Sequence, residues 1–587
     1  MHQVVSAAGS RLNRGAIRLA LLVLGAATVM LPGYSEANDF CPGVYRAGVL
    51  PLNFNPTFTS VGKFAAPNGQ SYDGLVVSSF FNAVKDPEGL GSVGFFQRDL
   101  VARITGIGYR SASWWNASRD TEVLTDLDLP SIVEPLPPGS ELANNSGPGQ
   151  QVWPNETRRV PDGILPFEAI VSPQGFHPTF WQGRLTLINL DDVTRTEYLI
   201  DQSTQGVGGC GAPGNSPRFY HKVKWADMNG DGLKDAITVR SAFKVNGNFC
   251  FPEGEVVWFE NPGAPYDPNV EWTENIVAGL SAGPNPPGED SRYSADIELD
   301  IADLENDGVP EIIGGTFFTS GSFFTPTDKA IEIYGAPVGA ANWAGVNPTT
   351  NPARISILTT ATANGPTFGL RFVDLNRDGK LDILATNHQT DNCFPRTQTP
   401  VPGRVYALEQ PASGDIFNDP WIQHTLKDGI RPNPTYPAPN NDPASPGRLA
   451  PGLAQEFWRS PLYEFSQKPW ILVGGDEASK VWVLRPASED PNDWNYESAV
   501  IFDINDYYGP NASQSFSAPS PATGVSISTI GAPSWRYDRG WSWGSWAEIY
   551  IPVFEGRDIH RITFRPRHPS QMITCPADGQ VACPVIN

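Results

Sequence analysis

One acidic nonapeptide recurs three times along the 587 residues, and it favours short strands joined by tight turns. It runs Asp227-Met-Asn229-Gly-Asp231-Gly232-Leu-Lys-Asp235, then Asp303-Leu-Glu305-Asn-Asp307-Gly308-Val-Pro-Glu311, then Asp374-Leu-Asn376-Arg-Asp378-Gly379-Lys-Leu-Asp382. Oxygen-bearing side chains at positions 1, 3, 5 and 9, with Gly at 6 where the backbone must turn sharply, are the hard ligands that Ca²⁺ prefers. Asp, Asn and Gly also build ordinary turns, but three copies with one internal spacing favour the metal. An EF-hand would need a bidentate Glu at position 12 and flanking helices. Thr238, Gly314 and Ala385 stand there instead, and the residues after each loop (Ala236 to Val239, Ile312-Ile313, Ile383 to Thr386) are strand-like.

The pattern D-x-[DN]-x-D-G-x-x-D between two strands resembles the FG-GAP/VCBS repeat of integrin-type β-propellers, in which the loop joins the first two strands of a blade. A second phrase follows each loop: Glu255 to Gly263 with Trp272 to Ile276, Ile331 to Pro337 with Arg354 to Ile357, and Val405 to Pro411 with Trp421 to Leu426. Strand, acidic loop, strand, turn, strand ending in Pro and a last strand opened by Trp or Arg make one four-stranded antiparallel blade. Four units without the loop carry the same phrase: Asp73 to Val77 with Ser92 to Phe96, Phe167 to Val171 with Leu185 to Ile188 and Glu197 to Ile200, Trp470 to Gly474 with Lys480 to Pro486 and Trp494 to Ile501, and Glu548 to Val553 with Asp558 to Phe564. The expected fold is therefore an all-β, seven-bladed propeller over residues 38–570, with long inserted loops at Asp126 to Pro161, Arg431 to Pro451 and Asn511 to Pro533.

Residues 1–37 differ in kind. Arg11, Arg14 and Arg18 precede an apolar run from Leu19 to Leu31, and Ser35-Glu36-Ala37 has the small-x-small form of a cleavage site. This predicts a secretory signal cleaved near Ala37, an exported mature chain (secreted, periplasmic or at the cell surface) and no membrane span within it. Losing three Arg and one Glu takes the formal charge from −22 to about −24, which disfavours nucleic acid and suits divalent cations. Six cysteines in an exported chain favour disulfides. Fifteen pairings are open, and those expected are Cys575 with Cys583 in a 571–587 tail, Cys210 with Cys250, and Cys41 with Cys393.

The first strand of a blade lines the central channel. Alternate positions before the loops give one face with Trp225, Val223 and His221, then Ile301, Leu299 and Ile297, then Phe372, Leu370 and Phe368, expected to pack between blades. The other face carries Lys222 and Lys224, then Glu298 and Asp300, then Arg371. Opposite signs on neighbouring blades predict pairing around a wet channel, and His221, Lys222, Lys224 and Arg371 are the candidates for holding a polar or anionic ligand. Trp535, in an aromatic stretch with Arg536, Tyr537, Arg539, Trp541, Trp543 and Trp546, is the candidate stacking surface. Neither a nucleophile elbow nor a P-loop occurs. The function expected is a calcium-bearing binding module for a glycan or an extracellular protein. The alternative is a polysaccharide lyase or sugar dehydratase, because the Trp-Phe-Glu-Asn-Pro phrase is similar to repeats in propellers associated with those enzymes; the likeness covers the scaffold and assigns no catalytic residue.

Overall fold

The computed structural model describes residues 44–65 (without 53), 71–79, 100–107 (without 106), 121–123, 154–175, 183–202, 218–246, 249–279, 295–317, 331–359, 364–390, 403–431, 449–508, 530–537 and 545–564 (without 555). Residues 1–37, expected to be a signal, the 571–587 tail and the cysteine side chains lie outside them, as do Trp114, Trp115, Trp541 and Trp543. Among the described residues no helix is long and apolar enough to cross a membrane.

Seven four-stranded antiparallel sheets follow one another along the chain. Counted by their first strands, blade 1 begins at Pro56–Ala65, blade 2 at Arg158–Arg159, blade 3 at Arg218–Ala226, blade 4 at Glu298–Ala302, blade 5 at Thr367–Val373, blade 6 at Ala454–Phe457 and blade 7 at Ser534–Tyr537. Blade 7 takes its outermost strand from the start of the chain: Tyr45–Pro51 pairs antiparallel with Asp558–Thr563. The two ends of the propeller are thereby laced into one sheet. This is the predicted seven-bladed β-propeller, and a single five-residue helix, Ile504–Tyr508, is described within it.

Each blade is sandwiched between two others, so its middle strands are buried on both faces. Every residue of Ala169–Pro173, Ile331–Gly335, Trp470–Gly474 and Ala547–Val553 is buried. Such strands read as continuous apolar runs rather than alternating ones, and fully burying a Leu, Ile or Val is worth about 1.5–3 kcal/mol. The core is divided accordingly into clusters between neighbours. Val76 and Ile170 meet between blades 1 and 2, Val171 and Val257 between 2 and 3, Val239 and Leu299 between 3 and 4. Ile313 and Leu370 meet between blades 4 and 5, Leu384 and Val473 between 5 and 6, Leu472 and Ile549 between 6 and 7. Leu75 and Tyr550 then close the circle between 7 and 1. Closure is tight enough to require glycine at Gly531, where a Cβ would lie 1.8 Å from the Thr57 carbonyl oxygen.

Three inner strands carry a β-bulge. In blade 3, Tyr220 pairs with Arg240 and Val223 with Thr238, so His221 and Lys222 together oppose one residue. In blade 1 the shift falls between Pro56 and Thr59, and in blade 5 between Thr367 and Gly369. An inserted residue breaks the two-residue alternation and re-aims the side chains around it. Phe368 packs between blades as expected, though in a cluster apart from Leu370, with Phe219 of blade 3 and Ile297 and Phe317 of blade 4. His221 departs from Val223, which corrects its expected place, and lies edge-on to Phe58 and Phe368, with ring centroids 5.3 and 5.8 Å away.

Candidate functional site

The inner strands of all seven blades line one cavity of about 580 Å³, with Phe58 to Val61, Arg158, Lys222 to Trp225, Asp300, Arg371, Glu456 and Trp535 on its walls. Its polar groups stitch each blade to the next. Ser60 Oγ donates to the Thr157 carbonyl at 2.9 Å, and the Glu156 amide to the His221 carbonyl at 3.1 Å. Lys222 Nζ lies 2.7 Å from Glu298 Oε2, Lys224 Nζ 2.6 Å from Asp300 Oδ1, and Arg371 Nε 3.1 Å from Glu456 Oε2. The Phe372 amide donates to Asp300 at 3.1 Å, Gln455 Nε2 to the Pro533 carbonyl at 2.6 Å, and Thr59 Oγ1 to Ser534 Oγ at 2.9 Å. The structure thus places Lys222, Lys224, Arg371 and Trp535 on one surface, and the charges near the axis are paired across blades as their alternation suggested.

Burial dominates the electrostatics here. It pulls the Lys224 ammonium below its ordinary range against the attraction of Asp300. It also opposes the charge on Asp300, but Lys224 and Lys222 beside that carboxylate hold it below the usual value. Trp535 leans on Phe457, 5.9 Å between ring centroids, at the edge of the cluster between blades 6 and 7, while remaining part of the cavity wall. Trp546, from the same aromatic stretch, packs against that cluster.

Glu156 had no part in the sequence reading. It precedes the two-residue strand Arg158–Arg159 and is fixed by its neighbour Asn155, whose side-chain amide donates to the carbonyls of Gly175 and Tyr220, each at 2.6 Å. Glu156, His221 and Glu298 are 3, 4 and 0 % exposed. Burial works against the charge on Glu156, yet Lys222, Arg158 and His221 hold it well below the ordinary carboxylate value. Burial and then the charge on Glu156 push Glu298 the other way, toward holding a proton.

The three acidic loops join first and second strands, as their pattern predicted. Their chemistry repeats. The position-1 carboxylate accepts the amide of position 6: Gly232 to Asp227 at 2.9 Å, Gly308 to Asp303 at 2.9 Å and Gly379 to Asp374 at 3.2 Å. Those glycines have φ of 91, 88 and 89°, a region closed to most side chains. The position-9 carboxylate lies buried beneath the turn and accepts the amide of position 2: Met228 to Asp235 at 2.8 Å, Leu304 to Glu311 at 2.8 Å and Leu375 to Asp382 at 3.0 Å. Asp235 and Asp382 also accept the amides of Asn261 and Gln410 beyond the third strand.

Asn229 Oδ1 and Asn376 Oδ1 accept the amides of Asp231 and Asp378, while Glu305 pairs with Arg354. Burial, helped by the neighbouring loop acids, pushes Asp235 up to about 6, Glu311 to about 7 and Asp382 to about 8. Glu311 Oε1 has no hydrogen bond. By chemistry this donor set, acids on an exposed turn above a buried carboxylate, is that of a hard divalent cation, but in this structure no three of the loop acids bring their oxygens within 4.8 Å of one another; they serve the amides of their own turns.

No protein-family model matches the chain, and no curated protein sequence matches it.

Proposed function

We propose that this protein is an exported, calcium-stabilised propeller that binds a glycan in its central cavity. The observation that carries the reading is the cavity itself: about 580 Å³, walled by fixed pairs of hydrogen-bond donors and acceptors, with Trp535 among its lining residues. Sugars combine hydroxyl groups, each both donor and acceptor, with apolar ring faces that stack on aromatic side chains. Because Lys222, Lys224 and Arg371 are already neutralised by Glu298, Asp300 and Glu456, the cavity favours a polar ligand over a highly charged one.

The signal-like residues 1–37 support export, and the loop chemistry supports calcium held by Asp227, Asn229, Asp231 and Asp235, by Asp303, Glu305, Asp307 and Glu311, and by Asp374, Asn376, Asp378 and Asp382. Calcium there would neutralise clustered carboxylates and lock each turn. Kinship with FG-GAP/VCBS propellers rests on this pattern.

A glycan-array screen in calcium and in chelator tests the reading. Binding should be reproducible in calcium and weakened roughly 2- to 13-fold by Trp535→Ala, the value of one aromatic contact of about 0.5–1.5 kcal/mol; an array with no glycan above background in either buffer would remove it. The buried Glu156, His221 and Glu298 beside Lys222 support a second reading, an eliminative carbohydrate enzyme, since such chemistry needs a base and a cation near a carboxyl group. Incubation with uronic-acid polysaccharides, followed by the absorbance of unsaturated products, separates the two.

A further inference from the structure

Three buried polar atoms from two neighbouring blades and the segment before a third strand face one another without a hydrogen-bond partner. They are Glu156 Oε1, His221 Nδ1 and Glu298 Oε1. His221 Nδ1 lies 3.0 Å from Glu298 Oε1 and 3.6 Å from Glu156 Oε1, and one ligand atom from each residue falls within 4.8 Å of the others, the only such group of three His, Cys, Asp or Glu side chains among the described residues. A buried carboxylate oxygen and imidazole nitrogen 3.0 Å apart ordinarily complete a hydrogen bond, because leaving either unsatisfied costs about 1–3 kcal/mol. Here the two atoms lie at that distance as an ion-pair contact, yet neither completes a hydrogen bond of good geometry. Separations of this size are what ligands of a common cation show: with metal–ligand distances of about 2.0–2.2 Å, neighbouring ligand atoms at right-angled to tetrahedral positions lie about 2.8–3.6 Å apart.

The surroundings are arranged for that division of labour. The remaining carboxylate oxygens are engaged elsewhere, Glu298 Oε2 by Lys222 and Glu156 Oε2 by Arg158, so each acid turns its other oxygen toward His221. The ring is held by Phe58 and Phe368. The bulge that breaks the alternation of Arg218–Ala226 brings His221 and Lys222 to the same acid. Lys222 Nζ, 3.8 Å from Glu156 Oε1, lowers the affinity expected for any cation without occupying its place.

We propose that Glu156, His221 and Glu298 form a binding site for one borderline divalent cation, of the Zn²⁺ or Co²⁺ kind, distinct from the three acidic loops. One imidazole and two carboxylates suit such a cation better than Ca²⁺, which takes oxygen ligands alone. Three protein ligands leave at least one position of a tetrahedral ion for water or a bound molecule, and Glu156 borders the cavity. The site stands whether or not that cavity takes a glycan.

The test uses tag-free full-length protein, stripped with chelator and returned to calcium-saturated buffer so that oxygen-only sites are filled. On titration with Co²⁺ the wild type should take up one equivalent and develop visible d–d absorption, displaced by Zn²⁺. Glu156→Gln and His221→Gln should lose the band while keeping the β-sheet circular dichroism. X-ray absorption at the cobalt edge of the wild type should show scattering from one imidazole, a readout that does not depend on either variant folding. Absence of stoichiometric Co²⁺ uptake, a band that persists in both folded variants, or a cobalt spectrum without imidazole scattering overturns the proposal in favour of a cluster that shares a proton instead of a metal.

Discussion

Lys222 Nζ meets Glu298 Oε2 at 2.7 Å, joining blades 3 and 4 where the two side chains are 5 and 0 % exposed. Removing one partner of a buried pair strands the other charge and costs about 3–5 kcal/mol, while removing both costs far less. Lys222→Met and Glu298→Gln should each lower the urea midpoint strongly, and the double variant should recover much of the loss. A double-mutant cycle whose coupling lies within about 0.5 kcal/mol of zero would show that the pair is screened and that the axis is not held together by its charges.

The buried acid of each loop and the exposed acids above it should separate by experiment. Asp382 accepts the amides of Leu375 and Gln410, so Asp382→Ala leaves two buried donors unsatisfied at about 1–3 kcal/mol each. That loss should appear in chelator as well as in calcium. Asp378 is at the tip, and Asp378→Asn should leave the melt in EDTA unchanged while shrinking the rise that calcium gives the wild type. A wild-type melting temperature unmoved by EDTA, with no calcium by elemental analysis, would leave these loops as turns clamped by their own amides.

Blade number was legible because a blade's buried middle strands are continuous apolar runs and its phrase repeats, with or without the loop. What escaped is physical in origin. A bulge adds one residue with no compositional mark, so counting by twos set His221 on the face opposite Lys222, whereas both reach Glu298. Glu156 lies in a Pro- and Asn-rich stretch read as an insertion, and the strand after it, Arg158–Arg159, is too short for any periodicity. In blade 1 the third strand is Leu100–Ile104 rather than the apolar run at Ser92 to Phe96, which lies outside the described residues. The pairing of Tyr45–Pro51 with Asp558–Thr563 spans nearly the whole chain, beyond the reach of local pattern.

Acid sensitivity should trace in part to His388. Burial lowers its imidazole from 6.5 to about 4; Nδ1 is 2.7 Å from the Pro451 carbonyl oxygen, and the ring stacks on Phe368 at 4.3 Å. The titratable groups facing it are Asp476, 3.4 Å from Nε2, and His221, whose charge lowers it further. A pKa depressed in the folded state gives stability that is complete above the unfolded value of 6.5 and is lost as pH falls from there through about 4. Each pH unit of that interval removes about 1.4 kcal/mol, roughly 3 kcal/mol in all. The difference in unfolding free energy between wild type and His388→Phe should therefore narrow by that order between pH 7 and pH 4. A difference that stays constant over this range would place the acid sensitivity elsewhere, and comparing the two proteins cancels the opposite-signed contribution of Asp235, Glu311 and Asp382.

Closure of the ring depends on the first described strand. Tyr45–Pro51 supplies the outer edge of blade 7, and it buries Leu50 in the cluster shared by blades 7 and 1, with Val44 just ahead of it in the cluster between blades 6 and 7. Arg46 adds a cation–π contact, 4.1 Å from the Tyr507 ring. Deleting residues 1–52 removes this strand, exposes the hydrogen-bonding edge of Asp558–Thr563 to other chains and gives up about 1.5–3 kcal/mol for each of the two buried apolar side chains. The shortened protein should melt well below the full chain and self-associate on size-exclusion chromatography, and a synthetic peptide covering residues 42–54 should restore both properties. The milder Leu50→Ala should cost about 2–5 kcal/mol while leaving the protein monomeric, because the edge stays covered. A deletion variant that remains monomeric with an unchanged melt would mean that the ring is held shut by its inter-blade clusters alone.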